Sequence, residues 1–256
     1  TTPEVFIDGL PGDLQYAAFG GSDVRAFDVD KEVKYAGIAS MKIAVPAVND
    51  PNGAYAGGVY FSTTGRDLSG YNCMTFWAKA TKSASIDLIG FGNDLGANKY
   101  QVSLSGVAVN TNWKKFYIPI PDPSKLKMEK GMFFYSEGPE NEEGYTFWID
   151  EVKFENLGTI AHPQPQILGG VDKTTSAFNN IKITIDGLSE TFNLPNGINQ
   201  TVNVSPAFFE FNSSDPAVAT VSETGVVSVI GGGNTVITAK MGDVDAELVP
   251  AVVHLM

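Results

Sequence analysis

Residues 57–80 hold two apolar runs that alternate at every second position, Gly57-Gly58-Val59-Tyr60-Phe61-Ser62 and Met74-Thr75-Phe76-Trp77-Ala78-Lys79-Ala80. A Thr/Gly/Arg/Asp turn and Asp67-Leu68-Ser69-Gly70-Tyr71 separate them. Period-two alternation bounded by turn residues predicts paired strands. In the second run Met74, Phe76 and Ala78 share one face, and Thr75, Trp77 and Lys79 share the other. A face carrying both Trp and Lys is either a wet, ligand-accessible surface or a Trp buried beside a snorkelling Lys.

The same period recurs along the first half of the chain. Val5 to Gly9, Ser40 to Val45, Ser85 to Gly92, Tyr100 to Leu104, Trp113 to Ile120, Met132 to Ser136 and Tyr145 to Phe154 all read as strands. No sustained helical period interrupts them, and 122–130 has room for one short helical turn. Many short strands joined by long loops predict an all-β, two-sheet antiparallel sandwich or jelly roll.

Residues 158–170 change character, with Gly158, Pro163, Pro165, Gly169 and Gly170, and read as a linker. The chain is therefore expected to divide into 1–157, a linker at 158–170, and 171–256. The last part is poorer in aromatics and holds seven candidate strands: Lys182 to Ile185, Gln200 to Val204, Phe208 to Asn212, Ala217 to Ser222, Val226 to Ile230, Thr235 to Lys240 and Ala246 to Val252. Seven short strands in this length predict an immunoglobulin-like sandwich.

With 256 residues the chain can bury a core without staples. Its net charge of -12 repels phosphate backbones, so nucleic acid and anionic membrane are poor partners. Cys73 is the single cysteine and reads as a small buried hydrophobe. No apolar run reaches the length of a membrane span. Thr1 opens directly on strand-like residues, as a processed or trimmed start would.

Two family resemblances sharpen this reading. Phe211-Asn212-Ser213-Ser214-Asp215-Pro216-Ala217-Val218-Ala219-Thr220-Val221-Ser222, Thr224-Gly225-Val226-Val227 and Gly231-Gly232-Gly233-Asn234-Thr235-Val236-Ile237-Thr238-Ala239 resemble bacterial immunoglobulin-like domains of group 2. Phe211 stands nearest the place where that family usually has Trp. The resemblance implies a spacer or adhesion module of bacterial surface proteins. In the first part, Gly37-Ile38-Ala39-Ser40-Met41-Lys42-Ile43, Asp67 to Tyr71, Phe76-Trp77-Ala78-Lys79, Asn112-Trp113-Lys114-Lys115-Phe116 and Phe147-Trp148-Ile149-Asp150-Glu151-Val152 resemble carbohydrate-binding modules of the galactose-binding-like jelly-roll type, nearest to families 11 and 4/22.

That second resemblance implies non-catalytic binding of a polysaccharide such as a β-glucan. It also implies a place outside a bacterium or on its outer membrane, lipid-anchored upstream of Thr1 or serving a surface glycan-uptake system. Sugar binding needs flat aromatic faces for pyranose rings and polar groups for hydroxyls. Trp77, Tyr117 and Trp148 are the expected platforms, with Tyr60 and Tyr135 if Phe61 and Phe134 point inward. Lys79, Asp87 and Gln101 are the expected polar contacts. The resemblance further implies one structural Ca²⁺ held by Asp8, Gly37 to Lys42, and Asp150. Asp28, Asp30 and Glu32 fall short of an EF-hand, because Val33 occupies the place that needs Gly.

Two competing readings stand beside this one. A structural or adhesive surface protein would leave Trp77 and Tyr117 buried or covered. A glycoside hydrolase would use the acids Glu137, Glu140, Glu142 and Glu143, although Gly138, Pro139 and Gly144 make that run look like a solvated loop. His162 and His254 have no partners at zinc spacing.

Overall fold

Alternation places Met74, Phe76, Ala78 and Ala80 of one strand in the interior, fully or nearly fully buried, while Trp77 and Lys79 stay partly open. The computed structural model describes residues 2–246 and 251–254. It is built almost wholly of strands and divides into Thr1–Gly158 and Thr159–Met256.

The first unit contains β1 (Glu4–Phe6), β2 (Leu14–Ala18), β3 (Phe27–Asp30), β4 (Ser40–Val45), β5 (Ala56–Arg66), β6 (Cys73–Ala80), β7 (Ala84–Phe91), β8 (Val102–Val109), β9 (Lys114–Pro119), β10 (Glu129–Glu137) and β11 (Tyr145–Glu155). One sheet runs β3-β4-β11-β6-β9, with β1 pairing the second half of β11. The other runs β8-β7-β10-β5-β2. All pairings in this unit are antiparallel. Pro119 falls at the end of edge strand β9, where its missing N–H costs no ladder bond. A 3-10 turn at Pro123–Lys125, capped by Asp122, is the short helical turn expected there.

The two sheets close face to face over aromatic side chains. Phe76 meets Phe133 at 6.0 Å, Phe154 meets Phe91 at 5.5 Å, and Phe147 meets Tyr135 at 6.1 Å. The edge-to-face arrangement of these pairs suits the ring quadrupole. This is the jelly-roll sandwich that the alternation predicts. Cys73 is buried, and burial pushes its thiol up to about 12, so it packs as a hydrophobe.

The second unit holds β12 (Ala161–Gln166), β13 (Thr174–Ser176), β14 (Lys182–Thr184), β15 (Ser189–Asn193), β16 (Asn199–Val204), β17 (Glu210–Ser213), β18 (Ala219–Val221), β19 (Val226–Val229), β20 (Asn234–Met241), β21 (Val244–Asp245) and β22 (Ala251–His254). β15 lies antiparallel between β12 and β16. A second group runs β13-β22-β20-β17, with β21 on β20, and a third runs β14-β19-β18. The stretch expected to be a linker at 158–170 thus contributes β12. Its prolines sit where β12 has a partner on one edge only within this unit, a position that tolerates them. β15 was not expected, and the expected strand Ala246 to Val252 falls partly outside the described residues.

Candidate functional site

Each sheet of the first unit has an outer face, and the two faces differ in chemistry. On the β3-β4-β11-β6-β9 sheet, register sets Asp28 opposite Lys42, Lys42 opposite Trp148, and Trp148 opposite Lys79. The next row sets Asp150 opposite Trp77 and Trp77 opposite Lys115. Trp77, Trp148, Tyr117 and Lys79 therefore share one face, as the alternation predicts. Their rings are dressed by the protein's own groups. Tyr35, from the loop before β4, lies flat on Trp77 with centroids 3.8 Å apart. Trp113 meets Tyr35 edge-on at 6.0 Å. The Trp148 indole N–H donates to Asp30 at 2.9 Å, and the Lys79 ammonium lies 5.9 Å from its ring centroid. The Lys115 ammonium lies 5.7 Å from the Tyr117 ring.

Tyr60 and Tyr135, expected on an open face, are interior and fully buried. Tyr60 packs against Tyr16, Phe27 and Phe133, and the hydroxyl of Tyr135 shares a hydrogen bond with that of Tyr16 at 2.9 Å. The reason is phase. Val59-Tyr60-Phe61 and Met132-Phe133-Phe134-Tyr135 are apolar at consecutive positions, so alternation cannot say which parity faces inward. Phe61 and Phe134 take the outer parity instead.

That reversal builds a second aromatic surface on the β8-β7-β10-β5-β2 sheet. One row across it reads Ala17, Val59, Phe134, Gly90 and Ser103. The next reads Gly57, Ser136, Leu88 and Ser105. Phe134 lies in the middle of this floor and, like Val59, is almost fully buried, while Ala17, Gly57 and Gly90 keep the surface around it low. A Cβ at Gly90 would strike the ring of Phe134, and one at Gly57 would strike the rings of Tyr55 and Phe19. These rings lie across glycines that leave room for them. The Tyr55 hydroxyl donates to the Gly20 carbonyl at 3.0 Å, which fixes its ring. At the other end Phe61 pairs with the exposed Gln15. Phe61 and Gly57 are four residues apart on one strand, about 13 Å. Phe19, Tyr55 and Phe61 are all half-buried, so each keeps ring surface toward solvent.

Of the expected polar contacts, Asp87 is exposed on β7 and its carboxylate accepts the Gly138 N–H at 3.1 Å. Gln101 is half-buried just ahead of β8. Neither joins the Trp77 face. In the acidic loop, Glu137 is buried and braces structure. It accepts the Tyr145 hydroxyl at 2.8 Å and the Asp87 N–H at 2.6 Å. Burial pushes Glu137 up to about 7.

Asp8, in the bend after β1, and Asp150, in β11, converge on one loop. Asp8 accepts the N–H groups of Ile38 and Ala39, and Asp150 accepts those of Tyr35 and Ala36 at 2.7 and 3.1 Å. Gly37 lies between them at φ +60, with the Asp8 carboxylate where a side chain would project. Asp150 is fully buried, burial raises its pKa, and no lysine or arginine bonds to it among the described residues. Neither carboxylate has an ion-pair partner within 4.0 Å among the described residues, and carboxylate oxygens are donors that suit a hard cation. Among the described residues no cluster of three or more acidic, His or Cys side chains forms, so further ligands would be carbonyls and water. Lys42 does not belong to this loop. It sits mid-strand in β4, paired with both Asp28 and Trp148.

A family model described as carbohydrate binding domain 30 matches residues 8–156. The chain belongs to this family. Carbohydrate binding domain 30 is a non-catalytic binding module, and its match covers the first unit and leaves the second outside. Among solved structures, this family 30 chain is similar to a family 30 carbohydrate-binding module at 19% identity, covering 63% of this chain and 92% of that one, with a TM-score of 0.42. It is also similar to the family 30 module of a cellulosomal cellulase of Clostridium thermocellum (20% identity, 62% and 95% covered, TM-score 0.39). A third is the family 11 module from Clostridium thermocellum, solved with a beta-1,3-1,4-mixed-linked tetrasaccharide (15% identity, 61% and 97% covered, TM-score 0.40). No curated protein matches the chain. No helix among the described residues is long and apolar enough to cross a membrane.

The sequence reading missed Phe19, Tyr55, Phe61 and Tyr35. Tyr35 and Tyr55 lie outside strands, where alternation has no meaning. Phe19 follows β2, whose Leu-Gln-Tyr-Ala-Ala run alternates too weakly to be read as a strand.

Proposed function

We propose that the family 30 unit binds a neutral polysaccharide, of which a β-glucan is the first to try, across the outer face of the β8-β7-β10-β5-β2 sheet. The observation that supports this reading is the floor of Ala17, Gly57, Val59, Phe134 and Gly90 with half-buried aromatic rings at both ends, Phe61 at one and Tyr55 with Phe19 at the other. A glycan chain laid across the floor meets ring faces at both ends, and Gln15 and Ser136 offer hydrogen bonds to its hydroxyls. Affinity is modest, since sugar hydroxyls exchange water bonds for protein bonds at small net gain. Affinity electrophoresis through gels containing β-glucans tests the reading. Retardation that is lost in Tyr55→Ala and Phe61→Ala supports it, and unretarded wild-type protein overturns it.

Three further assignments belong to the same reading. Ca²⁺ is held by Asp8 and Asp150 and stiffens the loop that carries Tyr35. EDTA should then lower the melting temperature, and an unchanged value speaks against the ion. The second unit is an immunoglobulin-like spacer of the group 2 kind, supported by its strand-rich structure and the Phe211 to Ala239 motif. The protein works outside a bacterial cell or on its outer surface, presenting the module to glycans for a degrading or uptake system.

A further inference from the structure

We propose that the opposite sheet carries a second site, for an acidic polysaccharide whose sugar rings bear carboxylates, built on the row Lys42–Trp148–Lys79. Register places Trp148 of β11 directly between Lys42 of β4 and Lys79 of β6, all on the outer face. Among the described residues neither lysine makes an ion pair within 4.0 Å. Lys79 instead rests 5.9 Å from the Trp148 ring centroid, and Lys42 acts on Asp30 only at longer range. Asp28 faces Lys42 across the strands and Asp30 takes the indole N–H, yet neither acid closes an ion pair with the two ammonium groups that flank the indole, which in a chain of net charge -12 leaves both lysines available.

The neighbouring row supplies a ring platform. Tyr35 is 43% exposed, and its hidden side is stacked on Trp77. Its backbone N–H is fastened to the buried Asp150, and Trp113 props its edge, so the ring is held before any ligand arrives. The open side of Tyr35 suits the apolar face of a pyranose. The lysines suit a carboxylate on that sugar or the next. On binding, the Lys79 ammonium moves from the indole to the uronate, exchanging a cation–π contact for a charge-assisted hydrogen bond. Lys115, by contrast, is already paired with Glu155 and takes no part. Acids on this face, Asp28, Asp30, Glu151 and Glu155, keep it from being a general anion sink. That pattern favours a polymer read by rings and spaced carboxylates over a polyphosphate.

The site shares no residue with the neutral-glycan surface, so each can fail alone. The test is titration of the full chain with polygalacturonate at low and raised salt, beside a neutral β-glucan and dextran sulfate. Expected is binding to polygalacturonate that weakens as salt rises. Lys79→Gln and Lys42→Gln should each weaken it about fivefold, and Tyr35→Ala about tenfold, with circular dichroism and β-glucan binding unchanged. No binding of polygalacturonate overturns the proposal. So does unchanged affinity in both lysine variants. Dextran sulfate binding as tightly as polygalacturonate also overturns it, because charge alone would then account for the attraction.

Discussion

The ring of Tyr35 lies on the indole of Trp77 with planes 13° from parallel, while the Tyr35 amide is bonded to the carboxylate of Asp150. A loop residue thereby covers a strand tryptophan that alternation marks as outward. Removing the ring should uncover the indole. Tyr35→Ala is expected to cost about 1 kcal/mol, the worth of one stacked aromatic pair, and to shift tryptophan emission to longer wavelength. Urea denaturation followed by fluorescence checks both. Unchanged emission would mean that the two rings are not in contact in solution.

A buried hydroxyl makes a second prediction. Among the described residues the Tyr60 hydroxyl has no hydrogen-bond partner, although its ring is packed among four aromatic neighbours. Deleting an unsatisfied buried group removes its desolvation cost, so Tyr60→Phe should stabilise the fold by about 1 kcal/mol. Tyr135→Phe breaks the bond to Tyr16 and should destabilise by a similar amount. Denaturation midpoints that move the same way in both variants would contradict this assignment.

The acid loop makes stability depend on pH. Burial raises Glu137 from an ordinary 4.5 to about 7. A carboxyl whose folded value is raised contributes stability that is present below about pH 4.5 and is lost as pH rises toward about pH 7. The full effect is about 3 kcal/mol at 1.36 kcal/mol per unit. Asp150 and Glu129, both raised by burial, act with the same sign. Chemical denaturation from pH 4.5 to pH 7.5 should show a decline that Glu137→Gln flattens. A wild-type profile that rises across this window would contradict the burial of Glu137.

Arg66 ties three segments together from an almost fully buried position. Its guanidinium forks onto Asp13, at 2.8 and 2.6 Å, and donates to the carbonyls of Thr2 and Glu4. Asp13 is partly exposed, so solvent screens part of the loss when its partner goes. Arg66→Met should cost about 2 kcal/mol, most of it from the two stranded carbonyls. The hydrogen bond from Arg66 also lowers the Asp13 pKa, so the pair's contribution holds above Asp13's ordinary value and fades as pH falls through the lowered one. A denaturation midpoint unchanged in Arg66→Met would show the fork is not formed.

Strand existence was legible because polar and apolar residues alternate, as in Met74 to Ala80 and Lys114 to Ile118. That signal gives a face only when one parity is polar. It placed Trp77, Tyr117 and Phe116 correctly. It failed at Val59-Tyr60-Phe61 and Phe133-Phe134-Tyr135, where both parities are apolar and only inter-sheet packing decides. The two glycines of Gly57-Gly58 carry no face preference of their own, yet they make room for Tyr16 on one side and Tyr55 on the other. The site rings of Tyr35, Tyr55 and Phe19 come from loops and a strand end, and long-range packing alone brings them to the sheets.

Isothermal titration of the full chain with a soluble β-glucan, comparing wild type with Phe61→Ala, Tyr55→Ala and Trp77→Ala, tests the binding account most directly. Loss of a ring contact worth about 1.4 kcal/mol weakens affinity about tenfold. The account predicts that loss for Phe61→Ala and Tyr55→Ala and wild-type affinity for Trp77→Ala. Tenfold weakening in Trp77→Ala with the other two unchanged would place the glycan on the opposite sheet and contradict it.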